Sequence, residues 1–96
     1  MIVNFKSKTT EDIYHGISSK QALKIPQTIW KAAGRKLDVL EAAVTVKDLK
    51  APPGNRLEAL KGEFHGKYSI RINDQYRVIF SFKDGNAYNV EIVDYH

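Results

Sequence analysis

From Leu57 onward the hydrophobic period of the chain is two, and this alternation limits the possible folds more than any other feature. In "KYSIRI" (67–72), Tyr68, Ile70 and Ile72 alternate with Ser69 and Arg71. In "YRVIFSF" (76–82), Tyr76, Val78, Phe80 and Phe82 alternate with Arg77, Ile79 and Ser81. In "YNVEIVDY" (88–95), Tyr88, Val90 and Ile92 alternate with Asn89, Glu91, Val93 and Tyr95. Such runs are half-buried strands, and the "NDQ" and "KDGN" between them are turn signals. Consecutive strands with short turns form an antiparallel meander, whose apolar face needs a cover.

The first half of the chain supplies the cover. "IVNF" (2–5) is a short β-type run. Thr10-Glu11-Asp12 has the acids of a helix start, with Ile13, Tyr14 and Ile17 as its apolar side. A second helix follows Pro26, with Ile29, Ala33, Leu37, Leu40 and Val44 as its core stripe. Gly34 within it is expected to permit close packing against a neighbour. Lys31 and Arg35 share a face of this helix, either as solvated charges or as a phosphate-tracking surface. Thr45 and Asp48 are spaced as a capping pair, and "APPGN" (51–55) closes the helical half. Helices first and strands after predict one α+β domain over residues 1–96, an N-terminal strand and helices on one face of a central antiparallel sheet.

Facing sets the register of the strands, because apolar residues of neighbours must share one side. The first hairpin then pairs Ile72 with Tyr76, Ile70 with Val78 and Arg71 with Arg77. The second pairs Phe82 with Tyr88, Phe80 with Val90, Val78 with Ile92 and Arg77 with Val93, leaving Tyr95 diagonal to Arg77. Two guanidiniums thus oppose each other on the face away from the helices, where like charges destabilise a sheet. Either Glu91, diagonal to Arg77, neutralises the pair, or an anion such as phosphate bridges it, which suits the fork geometry of arginine. The strand "RLEALK" (56–61) can add Arg56, Glu58 and Lys61 to this face, although Leu60 falls among its polar positions.

Composition narrows the chemistry. Fifteen basic residues against eleven acidic ones give a net charge of +4, a mild bias toward polyanions. There is no cysteine, which removes disulfides and thiolate chemistry. The three histidines, His15, His65 and His96, are far apart in sequence, so neither a metal site nor another cofactor is expected. No apolar run approaches the ~20 residues that span a bilayer, and "MIVNFKSKTTED" lacks the apolar core of a signal peptide, so a cytoplasmic location without membrane contact is expected. A basic concave patch with candidate acids and bases suits phosphodiester cleavage by the 2′-OH of RNA. That reaction needs a base for the hydroxyl, positive charge on the phosphorane and an acid for the leaving oxygen. Tyr95 can instead stack on a base.

The stretches "PPGNRLEALKG", "YSIRINDQYRVIF" and "NVEIVDYH" resemble HigB-like toxins of type II toxin–antitoxin modules, the GraT branch especially, within the RelE/ParE superfamily. The resemblance runs the length of the chain and is strongest from Pro52 to His96. It implies a compact RelE-like α+β fold and metal-independent endoribonuclease activity on mRNA bound at the ribosome. It also implies neutralisation by a helix-turn-helix antitoxin of the HigA or GraA type, with operator DNA reached only through that antitoxin. Carried over by residue, it makes Arg71 and Arg77 stabilisers of the scissile phosphate. It makes Asp94, Tyr95 and His96 a catalytic C-terminus and Lys61 a basic residue before glycine. Arg56, Lys61, Lys67 and His65 are the candidate RNA contacts. Many members carry histidine where this chain has Glu58; a carboxylate can serve as a base but repels phosphate. The preferred assignment is His96 as general acid or base, Tyr95 stacking or donating, and Glu58 as a secondary base.

Blander roles stay open: Tyr95 packing on Arg77, His96 as a polar terminus, and Lys61 and His65 as surface residues. Two other functions also compete. One is a ParE-like toxin that binds and inhibits a protein such as gyrase; the other is a weakly active or inactive module that only binds an antitoxin.

Overall fold

The computed structural model describes residues 1–95; His96 lies outside the described residues. Four strands, β1 (Glu58–Ala59), β2 (Tyr68–Arg71), β3 (Tyr76–Lys83) and β4 (Asn86–Asp94), form an antiparallel sheet in the order β1-β2-β3-β4. The meander expected from the alternation is present. Its register matches at the site: Ile70 pairs with Val78, Arg71 with Arg77, Val78 with Ile92 and Arg77 with Val93. The β2–β3 turn is tied by Asn73, whose Oδ1 accepts from the backbone N–H of Gln75 and of Tyr76 at 2.9 and 2.7 Å. The β3–β4 turn is the two-residue Asp84-Gly85, with φ of 52° and 80°. Both values fit the type of turn that matches strand twist, which the sequence Asp-Gly favours.

Toward that turn the register departs from expectation. Beyond Ile79–Glu91 a bulge shifts the ladder, so that Ser81 pairs with Tyr88 and Phe82 with Ala87. Phe82 therefore does not face Tyr88. The cause is Asn89, at φ 53°, which is folded out of the ladder. Asn4 clasps it: the Asn89 N–H donates to Asn4 Oδ1 at 3.0 Å and Asn4 Nδ2 donates to Asn89 Oδ1 at 2.8 Å. The bulge reverses facing along β4, so Ala87 and Val90 are buried and Tyr88 is not. The N-terminal segment runs parallel along the other edge of β4, bridging at Ile2–Ala87 and Phe5–Val90.

Helices α1 (Lys8–Tyr14) and α2 (Trp30–Ala42) contact β4, and α2 also contacts β3. Ser7 caps α1 by accepting from the Thr10 N–H at 3.2 Å, so this helix starts at Lys8, two residues before the expected Thr10. It ends before Gly16, at φ 72°, and leaves Ile17 exposed rather than on its apolar side. Ala33, Leu37 and Leu40 of α2 are fully buried against Ile70, Val78, Phe80 and Val90. Val44 does not complete the stripe and is 70% exposed. The capping pair explains this: Asp48 accepts from the Val44 and Thr45 N–H groups at 2.9 and 3.0 Å, which turns the chain out of the helix. Gly34 has no close neighbour, and a Cβ there would meet nothing within 4 Å.

The helical half is anchored by two carboxylates. Asp12 is buried, accepts from Ser19 Oγ at 2.5 Å and pairs with Lys8 at 2.9 Å. The Lys8 ammonium and the Ser19 hydroxyl hold its carboxyl below the usual aspartate range; the Thr45 and Val44 N–H groups do the same for Asp48.

Two outcomes follow. Gly34→Ala should raise stability by about 1 kcal/mol, a Tm increase of roughly 4–8 °C by thermal melting. Because both carboxylates have lowered native pKa values, their stabilisation is complete above the unfolded aspartate value of about 3.9. It is lost as pH falls through the lowered native values. Urea melts should therefore find wild type losing stability on acidification more steeply than Asp12→Asn.

Candidate functional site

On the sheet face away from the helices, Ser69, Arg71, Arg77, Ile79, Glu91 and Val93 come together by register. β1 adds Glu58, opposite Ser69. Here lies a cleft of about 270 Å³ lined by Arg56, Glu58, Arg71, Asn73, Asp74, Arg77 and Tyr95. Three guanidiniums against two carboxylates make it electropositive.

Arg77 is its floor, only 7% exposed. A buried guanidinium needs acceptors, and two are provided. Nε donates to Ser69 Oγ at 2.8 Å and Nη2 donates to the Arg56 carbonyl at 2.5 Å. Nη1 stands 3.7 Å from Glu58 Oε1. The Tyr95 ring lies over the guanidinium, 5.5 Å from Cζ to the ring centroid. Tyr95 reaches this place because its N–H donates to the Gln75 carbonyl at 2.6 Å, continuing the β3–β4 pairing beyond Asp94. Arg71, directly opposite Arg77, is half-buried and pairs with Asp74.

The opposed guanidiniums are therefore relieved separately, Arg71 by Asp74 and Arg77 by Glu58. Glu91 pairs with Lys6 instead, at 4.0 Å. Asp74 is 98% exposed and the Glu58 side chain 51%. Pairs this open to water contribute little, on the order of 0–1 kcal/mol, so an entering anion displaces them cheaply.

Of the residues singled out in the sequence, Arg56, Glu58, Arg71, Arg77 and Tyr95 meet in the cleft. Asp94 pairs with Tyr76 and so belongs to the opposite side of the sheet; its Oδ2 accepts from Gln75 Nε2 at 3.0 Å. Lys61, His65 and Lys67 border the Gly62–Phe64 turn outside the cleft lining, with Lys61 and His65 exposed and Lys67 half-buried. His96 lies outside the described residues. Ser69, Asn73 and the Arg56 carbonyl were not singled out. For Ser69, its place on the polar side of β2 beside Arg77 was the available signal; a carbonyl carries none. Among the described residues, no group of three or more His, Cys, Asp or Glu side chains is placed to hold a metal ion. No helix among them is long and apolar enough to cross a membrane.

The meander with helices behind it has counterparts among solved structures. Solved YoeB–YefM toxin–antitoxin complexes from Staphylococcus aureus share the fold. One matches with a TM-score of 0.61 at 20% identity, covering all of this chain and 95% of that one. A second matches with a TM-score of 0.57 at 19% identity. The family model described as "RelE-like toxin of type II toxin-antitoxin system HigB" matches residues 3–96. Toxin HigB-1 of Vibrio cholerae is 46% identical over 89 residues, 93% of this chain and 92% of its own. Endoribonuclease HigB of Proteus vulgaris is 28% identical over 97 residues, the full length of both. The chain belongs to the HigB-like toxin family of type II toxin–antitoxin systems.

An electropositive cleft of this build should hold a small tetrahedral anion. Inorganic phosphate is expected to raise the Tm of wild type by mass action, with a smaller rise for Arg71→Ala in the same titration. An equal rise in both would show that the anion binds elsewhere.

Proposed function

We propose that this toxin is an endoribonuclease that cleaves mRNA on the ribosome, using the 2′-OH of the RNA as nucleophile. The observation carrying this reading is the pair of opposed guanidiniums, one of them a buried floor capped by an aromatic ring. The name of the Proteus vulgaris relative, Endoribonuclease HigB, supports it.

In this reading the scissile phosphate enters between Arg71 and Arg77 and displaces the carboxylates of Asp74 and Glu58. A base takes the 2′-OH proton, and the oxygen attacks phosphorus. Negative charge grows on the non-bridging oxygens of the phosphorane, where fixed guanidinium N–H groups stabilise it more than they stabilise the ground state. The bond to the 5′-oxygen breaks, and that oxygen leaves with a proton from an acid. The products are a 2′,3′-cyclic phosphate and a 5′-hydroxyl. Glu58, once turned from Arg77, is a base within the cleft; His96 is assigned the complementary acid–base role. Tyr95, 42% exposed with its ring over Arg77, stacks on a nucleobase or donates from its phenol in this reading. Lys61, Lys67 and His65 extend the RNA contact past β1, and Asp94 supports the end of β4 from behind. The neutralising partner is an antitoxin of the helix-turn-helix HigA type, through which operator DNA is reached, and the site of action is the cytoplasm.

The test is a translation extract with a reporter mRNA. Wild type should stop translation and generate new 5′-hydroxyl ends. Arg77→Ala should slow cleavage by roughly 10²–10³-fold, the cost of losing one oriented stabiliser of developing charge. Arrest of translation with the message intact would sink the nuclease reading and direct attention to a protein target, with gyrase supercoiling as the next assay.

A further inference from the structure

Among the described residues, Asn55 is the largest completely buried polar side chain outside both the cleft and the helix caps. Its amide is fully used. Nδ2 donates to the carbonyls of Leu49 and Ala51 at 3.2 and 3.1 Å, and Oδ1 accepts from Lys36 Nζ at 2.5 Å. Two backbone bonds complete the turn: Asn55 N–H to the Pro52 carbonyl at 3.0 Å and Arg56 N–H to the Pro53 carbonyl at 3.1 Å. The chain leaves this turn through Arg56 at φ 44° and ψ 56°, the left-handed region that an L side chain enters only when its surroundings hold it there. The Arg56 carbonyl, pointed by that conformation, is the acceptor for Arg77 Nη2. Arg77 is thus aimed from two directions. A β2 hydroxyl holds Nε, and a loop carbonyl holds Nη2.

We propose that Asn55 is a positioning residue for Arg77: by tying the 49–55 turn to α2 it fixes the Arg56 carbonyl, and so aims the remaining N–H groups of the guanidinium into the cleft. The proposal rests on the nuclease reading for its effect on rate, though not for its geometry. Without the clamp, Arg56 relaxes out of the left-handed region and its carbonyl turns away. The guanidinium then lacks one acceptor and swings toward the other oxygen near it, Glu58 Oε1, 3.7 Å from Nη1. That motion fills the space a phosphate would take. Lys36 belongs to the same device. Its ammonium is partly buried, and burial together with the nearby charges of Arg35 and Arg71 pushes its pKa down. The Asn55 oxygen is its hydrogen-bond acceptor among the described residues.

A double-mutant cycle tests this. Single-turnover cleavage of a ribosome-bound message is measured for wild type, Asn55→Ala, Arg77→Ala and the double variant. Asn55→Ala should slow cleavage by up to about 10²-fold, the scale of an ångström-sized misplacement, with little change in affinity for the uncleavable 2′-deoxy message. In the Arg77→Ala background the same change should cost nothing further. Costs that multiply would overturn the proposal, since a general loss of folding acts with or without Arg77. If Asn55→Ala does not fold, Lys36→Met replaces it in the cycle, because it leaves both carbonyl bonds of Asn55 in place and should show the same non-additivity. The Arg77 side-chain Nε–H resonance gives a readout independent of activity. In Asn55→Ala or Lys36→Met it should shift and exchange faster with solvent; an unmoved resonance overturns the proposal. Should wild type leave the message intact, the nuclease reading fails; should Arg77→Ala cleave like wild type, the catalytic role of Arg77 fails; in both cases the resonance still decides whether Asn55 positions Arg77.

Discussion

A positive charge sits on the floor of a β-sheet, and much of the local architecture exists to make that tolerable. Moving a guanidinium out of water carries a penalty of several kcal/mol unless acceptors replace the lost hydration. Arg77 finds them in a hydroxyl from β2 and a loop carbonyl, with an aromatic ring from the end of β4 laid over it. Each comes from a different part of the chain, so the position of this one side chain depends on three separate elements being correctly placed. An apolar residue there would fold with less difficulty. What the charge provides is a group whose direction is set before any substrate arrives, the property electrostatic stabilisation of a transition state requires.

The two carboxylates beside the arginines stand in contrast. Glu58 and Asp74 are largely solvated and approach the guanidiniums from the open side. They lower the repulsion between Arg71 and Arg77 in the empty cleft without committing the site. In the proposed reading, fixed positive charge below and exchangeable negative charge above let a phosphate enter by ion exchange. Little of the protein has to move.

Much of this was legible in the amino-acid order, because alternation carries facing and facing carries register. The opposition of Arg71 and Arg77, and Tyr95 beside them, follow from counting by twos between apolar residues. What escaped that counting depends on contacts between distant residues. The bulge at Asn89 is held by Asn4, and no window of local sequence contains both. Glu91 is drawn off to Lys6, another partner from the far end of the chain. Val44 continued a helical stripe on paper but is turned out by the carboxylate of Asp48. The Arg56 carbonyl is the extreme case: a backbone oxygen is the same in every residue, and only a three-dimensional loop makes it special. The acid–base assignment was also beyond periodicity, which places side chains on faces without ranking their proton affinities.

The seam between the first few residues and β4 has a consequence for how the protein comes into being. Val3 and Lys6 donate to β4, the Ile92 N–H donates to Thr10 Oγ1, and Asn4 holds the bulge. These contacts join parts of the chain more than eighty residues apart. Such long-range pairings close late, after the loop entropy between them has been met. During synthesis the opening segment emerges first and waits, its partner strand still unmade. Tyr95 follows that strand. The cleft therefore lacks Tyr95 until β4 has been made and paired. For a toxin, the order of assembly is itself a form of restraint.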